Sequence, residues 1–131
     1  MKPQLFQCFR FTETQRALDY MLALGFVEKL VVRDEDDQAR ITHAQLQWRD
    51  NGGVMFGPVM GDESDDRLRA GGHICNLVVH SDAAVDETFW RALDAGATVD
   101  AEPSHPPYGG RTASVLDFDG NVWSFSSYEG A

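Results

Sequence analysis

The chain has 131 residues, with 21 Asp and Glu against 11 Lys and Arg and a formal net charge of -10. That length suits one compact domain, and the acidic surface repels phosphate backbones and anionic lipid, which argues against nucleic-acid and membrane-surface binding. Cys8 and Cys75 are too few for a disulfide framework, and no run has the roughly 20 apolar residues of a membrane span, so a cytoplasmic protein is expected.

In chain order, LFQCFRF (5–11) reads as a strand, and Thr12 with Gln15 three residues on resembles a helix start. Ala17, Leu18, Met21 and Leu22 then recur at helical spacing, and Gly25 stands where a left-handed residue ends a helix. FVEKLVV is the next strand, RDEDDQA a charged turn, and ITHAQLQW a third strand. An Asn-Gly turn then leads into VMFGPV.

After the polar linker GDESDDRLRAGG the order repeats. HICNLVV is a strand, Ser81 or Asp82 a cap, and Val85, Phe89, Ala92 and Leu93 mark one helix face that Gly96 ends. ATVDAE is a strand and PSHPPYGG an irregular loop. RTASVLDF and NVWSFSS then form a hairpin around Asp119-Gly120. The helix-stopping glycines lie 71 residues apart and the turn glycines Gly52 and Gly120 lie 68 apart, so one βαβββ unit occurs twice, over about 4–60 and 72–128.

This predicts a single α+β domain of two βαβββ modules. Each sheet buries one face under its helix, and the other faces enclose a cleft suited to a small molecule. A ferredoxin-like sandwich would need βαββαβ order and leaves one strand of each copy unused.

RFTETQRALDYMLALGF and GRTASVLDFDGNVWSF carry a resemblance to the vicinal oxygen chelate superfamily, the group of glyoxalase, bleomycin-resistance and extradiol dioxygenase proteins. It extends over approximately residues 4–128. The resemblance implies metal-donor positions at Phe6, Phe56, His73 and Ser124; a one-residue slip would offer Gln7, and Cys8 lies a further step on. Phenyl rings donate no lone pair, and neutral serine is a poor substitute for a carboxylate. No metal and no other cofactor is therefore expected. Phe6 and Phe56 would instead line the cleft with apolar rings, as in the metal-free, antibiotic-sequestering members, whose likeness also implies a homodimer.

The candidate ligand-binding residues are Phe6, Trp48, Phe56, His73, Tyr108, Arg111 and Ser124. Tyr108 and Arg111 flank two glycines in a lid-like loop; Arg111 could take an anionic group or pair with one of the chain's acids. His43 is a weaker candidate, Trp90 suits a helix edge, and Trp123, alternating with Ser124, suits the core. Glu13, Asp19, Asp50, Asp82 and Asp119 all fall at caps, turns or helix surfaces. A Cys75-His73 nucleophilic pair lacks an orienting group.

The expected function is metal-independent binding of a small aromatic or cationic toxic compound. The alternatives are a metal-dependent or cofactor-free lyase, isomerase or dioxygenase of the same superfamily, or a structural or regulatory partner-binding protein.

Overall fold

The computed structural model describes residues 1–61 and 65–131; positions 62–64 of the predicted polar linker lie outside the described residues. The first module runs β1 (Leu5–Phe11), α1 (Thr14–Leu24), β2 (Val27–Arg33), β3 (Ile41–Trp48) and β4 (Gly52–Pro58). A short 3-10 turn, Asp66–Leu68, precedes the second module. That module runs β5 (Ile74–Val78), α2 (Asp82–Asp94), β6 (Thr98–Ser104), β7 (Thr112–Leu116) and β8 (Val122–Ser126). The chain is thus two βαβββ modules, and Met1–Gly71 and Gly72–Ala131 form two compact units.

Each module holds a four-stranded mixed sheet, ordered β1-β4-β3-β2 in the first and β5-β8-β7-β6 in the second. Direct connections without a helix make β2-β3, β3-β4, β6-β7 and β7-β8 antiparallel, whereas β1-β4 and β5-β8 are parallel.

The two helices end alike. Gly25, at φ 113°, follows α1, and the N–H groups of Gly25 and Phe26 donate to the Leu22 and Met21 carbonyls, both at 3.1 Å. Gly96, at φ 103°, repeats this after α2, where Gly96 and Ala97 donate to Leu93 and Ala92, both at 3.0 Å. A left-handed residue is needed at each stop, and glycine adopts that conformation without a Cβ penalty.

Their beginnings differ. Ser81 caps α2, its Oγ accepting from the Ala84 N–H at 3.1 Å. The N-cap of α1 is Glu13, one residue after the expected Thr12, and it makes no side-chain cap bond. Thr14 instead accepts from the Ile41 N–H at 2.8 Å, tying the first turn of α1 to β3. Gln15 is committed to Asp19 and Arg33.

Strand alternation gives each sheet two chemically different faces. In the first module Phe9, Phe11, Ala44, Leu46, Val54 and Phe56 are buried in the core with Ala17, Leu18 and Met21 of α1. In the second, Cys75, Leu77, Ala113, Val115, Trp123 and Phe125 are buried with Val85 and Phe89 of α2. Burying one such side chain fully contributes about 1.5–3 kcal/mol relative to exposure. The remaining positions of the central strands define a helix-free face in each module.

Candidate functional site

On the helix-free face of the first module, the parallel register opposes Phe6 to Gly53, Cys8 to Met55 and Arg10 to Gly57. The next strand adds Gln45 opposite Met55 and Gln47 opposite Gly53, with His43 in the same alternation. The glycines leave room for their neighbours. A Cβ on Gly53 would stand 2.6 Å from Phe6 Cδ1, and one on Gly57 would stand 2.9 Å from Arg10 Nη1. Gln47 is buried and donates to the carbonyls of Met1 at 2.7 Å and Asp50 at 2.8 Å, fastening the turn between β3 and β4. His43 and Gln45 share a hydrogen bond of 3.0 Å. This face therefore offers an aromatic ring, a thioether and a thiol beside amides and an imidazole.

Phe56 is not part of it. The ring is 2% exposed and meets Phe11 edge-on at 5.4 Å between centroids, within the core beneath α1. Its register partner Ala44 is fully buried on the same side. This corrects the expectation that Phe6 and Phe56 line one wall: β1 and β4 pair so that Phe6 aligns with Gly53, and Phe56 stands three positions after Gly53, an odd offset that reverses the face. Trp48 is corrected likewise. It pairs with Gly52, packs against Phe26 at 5.0 Å and lies 3.8 Å from the Cβ position of Gly25, so it covers the end of α1.

On the helix-free face of the second module, Ser124 opposes both Asn76 and Ser114. Ser124 Oγ donates to Asn76 Oδ1 at 2.7 Å, and Ser114 Oγ donates to Asp100 Oδ2 at 2.7 Å. Ser124 thus lies on the helix-free face, and Trp123 lies in the core as its alternation requires.

His73 stands just before β5, one residue out of step with Asn76 and in the parity of buried Cys75. Its main chain is pinned: its N–H donates to Asn121 Oδ1 at 3.1 Å, and its carbonyl accepts from Val122 at 2.9 Å. Burial pushes the Cys75 thiol up to about 11. A thiol so disfavoured as thiolate, on the helix side of the sheet, is not an activated nucleophile.

Arg111 is also engaged within the chain. Its Nε and Nη2 donate to the two carboxylate oxygens of Asp86 on α2 at 2.7 and 3.0 Å. Those bonds hold the Asp86 carboxyl below its ordinary value and raise the guanidinium. Of the two roles expected for Arg111, an anionic ligand or one of the chain's acids, the fork takes the second, filled by a carboxylate 25 residues away. Tyr108 is 64% exposed and meets Tyr128 edge-on at 5.2 Å.

The motif DFDGNVW is explained by Asp117, which is 6% exposed. Its Oδ1 accepts from the N–H groups of Asp119 at 2.9 Å and Asn121 at 3.0 Å. Its Oδ2 accepts from Asn121 Nδ2 at 2.9 Å and the Trp123 indole at 2.8 Å. Four donors on one carboxylate set the turn that delivers Ser124 to its face.

The donor set does not fit a divalent metal of the kind the resemblance implies. Phe6 and Ser124 lie on helix-free faces, Phe56 lies in the core, and His73 heads β5, so one imidazole and one hydroxyl are the only lone-pair donors among the four. Among the described residues, no group of three or more His, Cys, Asp or Glu could hold a metal ion. No helix among them is long and apolar enough to cross a membrane.

Sequence reasoning passed over Asn76, Ser114, Asp100, Gln45 and Met55. Asn76 was detectable, since Asn76 alternates with Cys75 and Leu77 in an otherwise apolar strand.

Comparison with known proteins agrees with this architecture. TioX from Micromonospora sp. ML1 is 27% identical, with a TM-score of 0.70 over 93% of this chain and 95% of that one. A glyoxalase/bleomycin resistance protein from Streptomyces sp. CB03234 is 18% identical, with a TM-score of 0.68 over 92% and 96%. Lactoylglutathione lyase from Agrobacterium tumefaciens, at 12% identity, matches with a TM-score of 0.64 over 93% and 90%. No curated protein matches the sequence significantly. Residues 6–125 match the model of the Glyoxalase/Bleomycin resistance protein/Dioxygenase superfamily, and with both βαβββ modules in place the chain belongs to that superfamily.

Proposed function

We propose that this protein binds a small aromatic molecule on the helix-free sheet face of its first module, without a resident metal and without transforming the ligand. The observation that carries this reading is the pairing of Phe6 with Gly53. An aromatic ring occupies a position where the resemblance implies a metal donor, and a glycine beneath it leaves space for the ring. Cys8 and Met55 adjoin it, adding polarizable sulfur to an aromatic surface. Ser124, at the corresponding position of the second module, supplies a hydroxyl in place of a carboxylate. Such surfaces bind by area burial, stacking and hydrogen bonding, and none of these side chains forms an acid-base pair. Sequestration of a toxic compound by a cytoplasmic homodimer is the physiological form of this reading.

The test combines elemental analysis of protein purified without chelator with fluorescence titration of acridine. Expected are substoichiometric metal, binding unaffected by EDTA, at least several-fold weaker binding for Phe6→Ala, and acridine recovered unchanged. One equivalent of divalent metal, with binding abolished by EDTA, overturns the proposal. Sedimentation analysis tests the homodimer.

A further inference from the structure

The strands β1, β3 and β4 contain no Asp or Glu, although the chain holds 21 acids, and their single Lys or Arg is Arg10. Arg10 shares the helix-free face of the first module with Phe6 and Cys8, and its register partner is Gly57. Its guanidinium occupies the space a side chain would fill there, since a Cβ on Gly57 would stand 2.9 Å from Arg10 Nη1. Phe6 uses Gly53 in the same way at the other end of β4. Two glycines on one face of one strand thus seat a ring and a cation, with Met55 between them.

The cation has no counter-charge. Arg16, Arg40, Arg67 and Arg111 each meet a carboxylate, at 3.2, 3.1, 2.8 and 2.7 Å. Arg10 meets none among the described residues; its Nη1 donates to the Pro58 carbonyl at 3.4 Å, and its other N–H groups reach no acceptor there. A guanidinium carries five N–H donors, so most of its capacity is unspent. Being half-buried, it has also given up part of its hydration. A neighbouring acid would offset that cost, yet the three strands around Arg10 carry none. The anion that completes this arrangement comes from outside the chain.

We infer that the first module binds an aromatic acid, its ring against Phe6 and its carboxylate held by Arg10. The inference rests on the proposed binding function and adds the ligand's charge and length. Gly53 and Gly57 lie four residues apart, which sets the two seats about 13 Å from each other at roughly 3.3 Å per residue. The acid therefore stands off the ring on a short chain, and a carboxylate fixed directly to the ring falls short. The planar guanidinium matches a carboxylate through two parallel hydrogen bonds. The net charge of -10 opposes an anion at long range, but charges beyond about 8 Å are largely screened at physiological ionic strength, whereas direct contact with Arg10 is not.

Three fluorescent probes sharing one ring system test this by titration at physiological salt: 1-pyrenebutyrate, an acid on a short chain; 1-pyrenebutanol, uncharged with the same chain; and pyrene-1-carboxylate, an acid on the ring itself. Pyrenebutyrate is expected to bind roughly tenfold tighter than either of the others, as for hydrogen bonds to a charged group. Arg10→Leu weakens pyrenebutyrate about tenfold and leaves pyrenebutanol unchanged, which also shows that the variant is folded. Arg10→Lys, which keeps the charge and loses the planar fork, falls between Arg10→Leu and the wild type. Phe6→Ala weakens all three probes. Arg91→Gln, at an exposed guanidinium on α2, changes none of them.

Equal binding of pyrenebutyrate and pyrenebutanol, or an equal loss of pyrenebutyrate in Arg10→Leu and Arg91→Gln, overturns the acid while aromatic binding stands. Loss of both pyrenebutyrate and pyrenebutanol in both Arg10 variants makes Arg10 structural and overturns it as well. Pyrene-1-carboxylate binding as tightly as pyrenebutyrate overturns the inferred length. Failure of the three probes and of acridine to bind the wild type overturns the inference together with the binding function.

Discussion

The Phe6 ring lies against the position where a side chain on Gly53 would begin: a Cβ there would stand 2.6 Å from Phe6 Cδ1, 2.7 Å from Cε1 and 2.8 Å from Pro3 Cβ. The two residues are register partners across the parallel β1-β4 pair. Gly53 is thus required for close approach.

Gly53→Ala is therefore expected to push the Phe6 ring from its place. Phe6 is half-buried and can shift, so the cost to stability is about 1 kcal/mol, at the lower end of overpacking effects. Acridine affinity falls alongside. Urea denaturation and fluorescence titration of the same variant measure the two effects.

Asp117→Ala removes the acceptor of four bonds and takes from the buried Trp123 indole N–H its carboxylate acceptor. A loss of about 2–4 kcal/mol is expected, since each buried donor left unsatisfied costs about 1–3 kcal/mol and part of the turn can reach water. Asp117→Asn is intermediate, because an amide offers one acceptor oxygen for two clusters of donors. Urea denaturation ranks the three proteins.

The Asp86-Arg111 pair gives an acid-side dependence. The folded carboxyl titrates below its ordinary value because Arg111 donates to it, so its contribution to stability is present above the unfolded-state value of about 3.9. That contribution is lost as pH falls through the lower folded value. Asp86→Asn should lower Tm at pH 6 and converge with the wild type near pH 2, whereas a constant difference across this range contradicts the pairing.

The two thiols should separate in reactivity. Cys8 is exposed, and the Cys75 thiol is buried and pushed up to about 11. With an aromatic disulfide reagent at pH 8, one thiol per native chain reacts promptly and the second only after denaturation. Cys8→Ser removes the prompt reaction; its persistence would contradict the burial of Cys75.

The repeat was legible because its signals are local. Gly25 and Gly96 end helices through residues three and five positions before the bonded neighbours, and Ser81 caps α2 through Ala84, three residues on. Alternation within one strand likewise places Trp123 opposite to Ser124 without reference to anything distant. The chemistry of DFDGNVW is local too, since every bond to Asp117 comes from within six residues.

Pairing between strands is not local, and there the sequence alone fell short. Placing Phe56 with Phe6 needs the register of β1 on β4, and an error of one residue turns a core ring into a ligand wall. Arg111 meets Asp86 on a helix separated from it in the chain by β6, so its guanidinium could not be assigned a partner from its neighbours. Asp100 reaches Ser114 through a slip in β6-β7 pairing that no residue type announces. Period and capping act over one turn of chain and determine which elements form; register and bulges depend on how whole strands fit together, and the tertiary structure alone decides which side chains share a face.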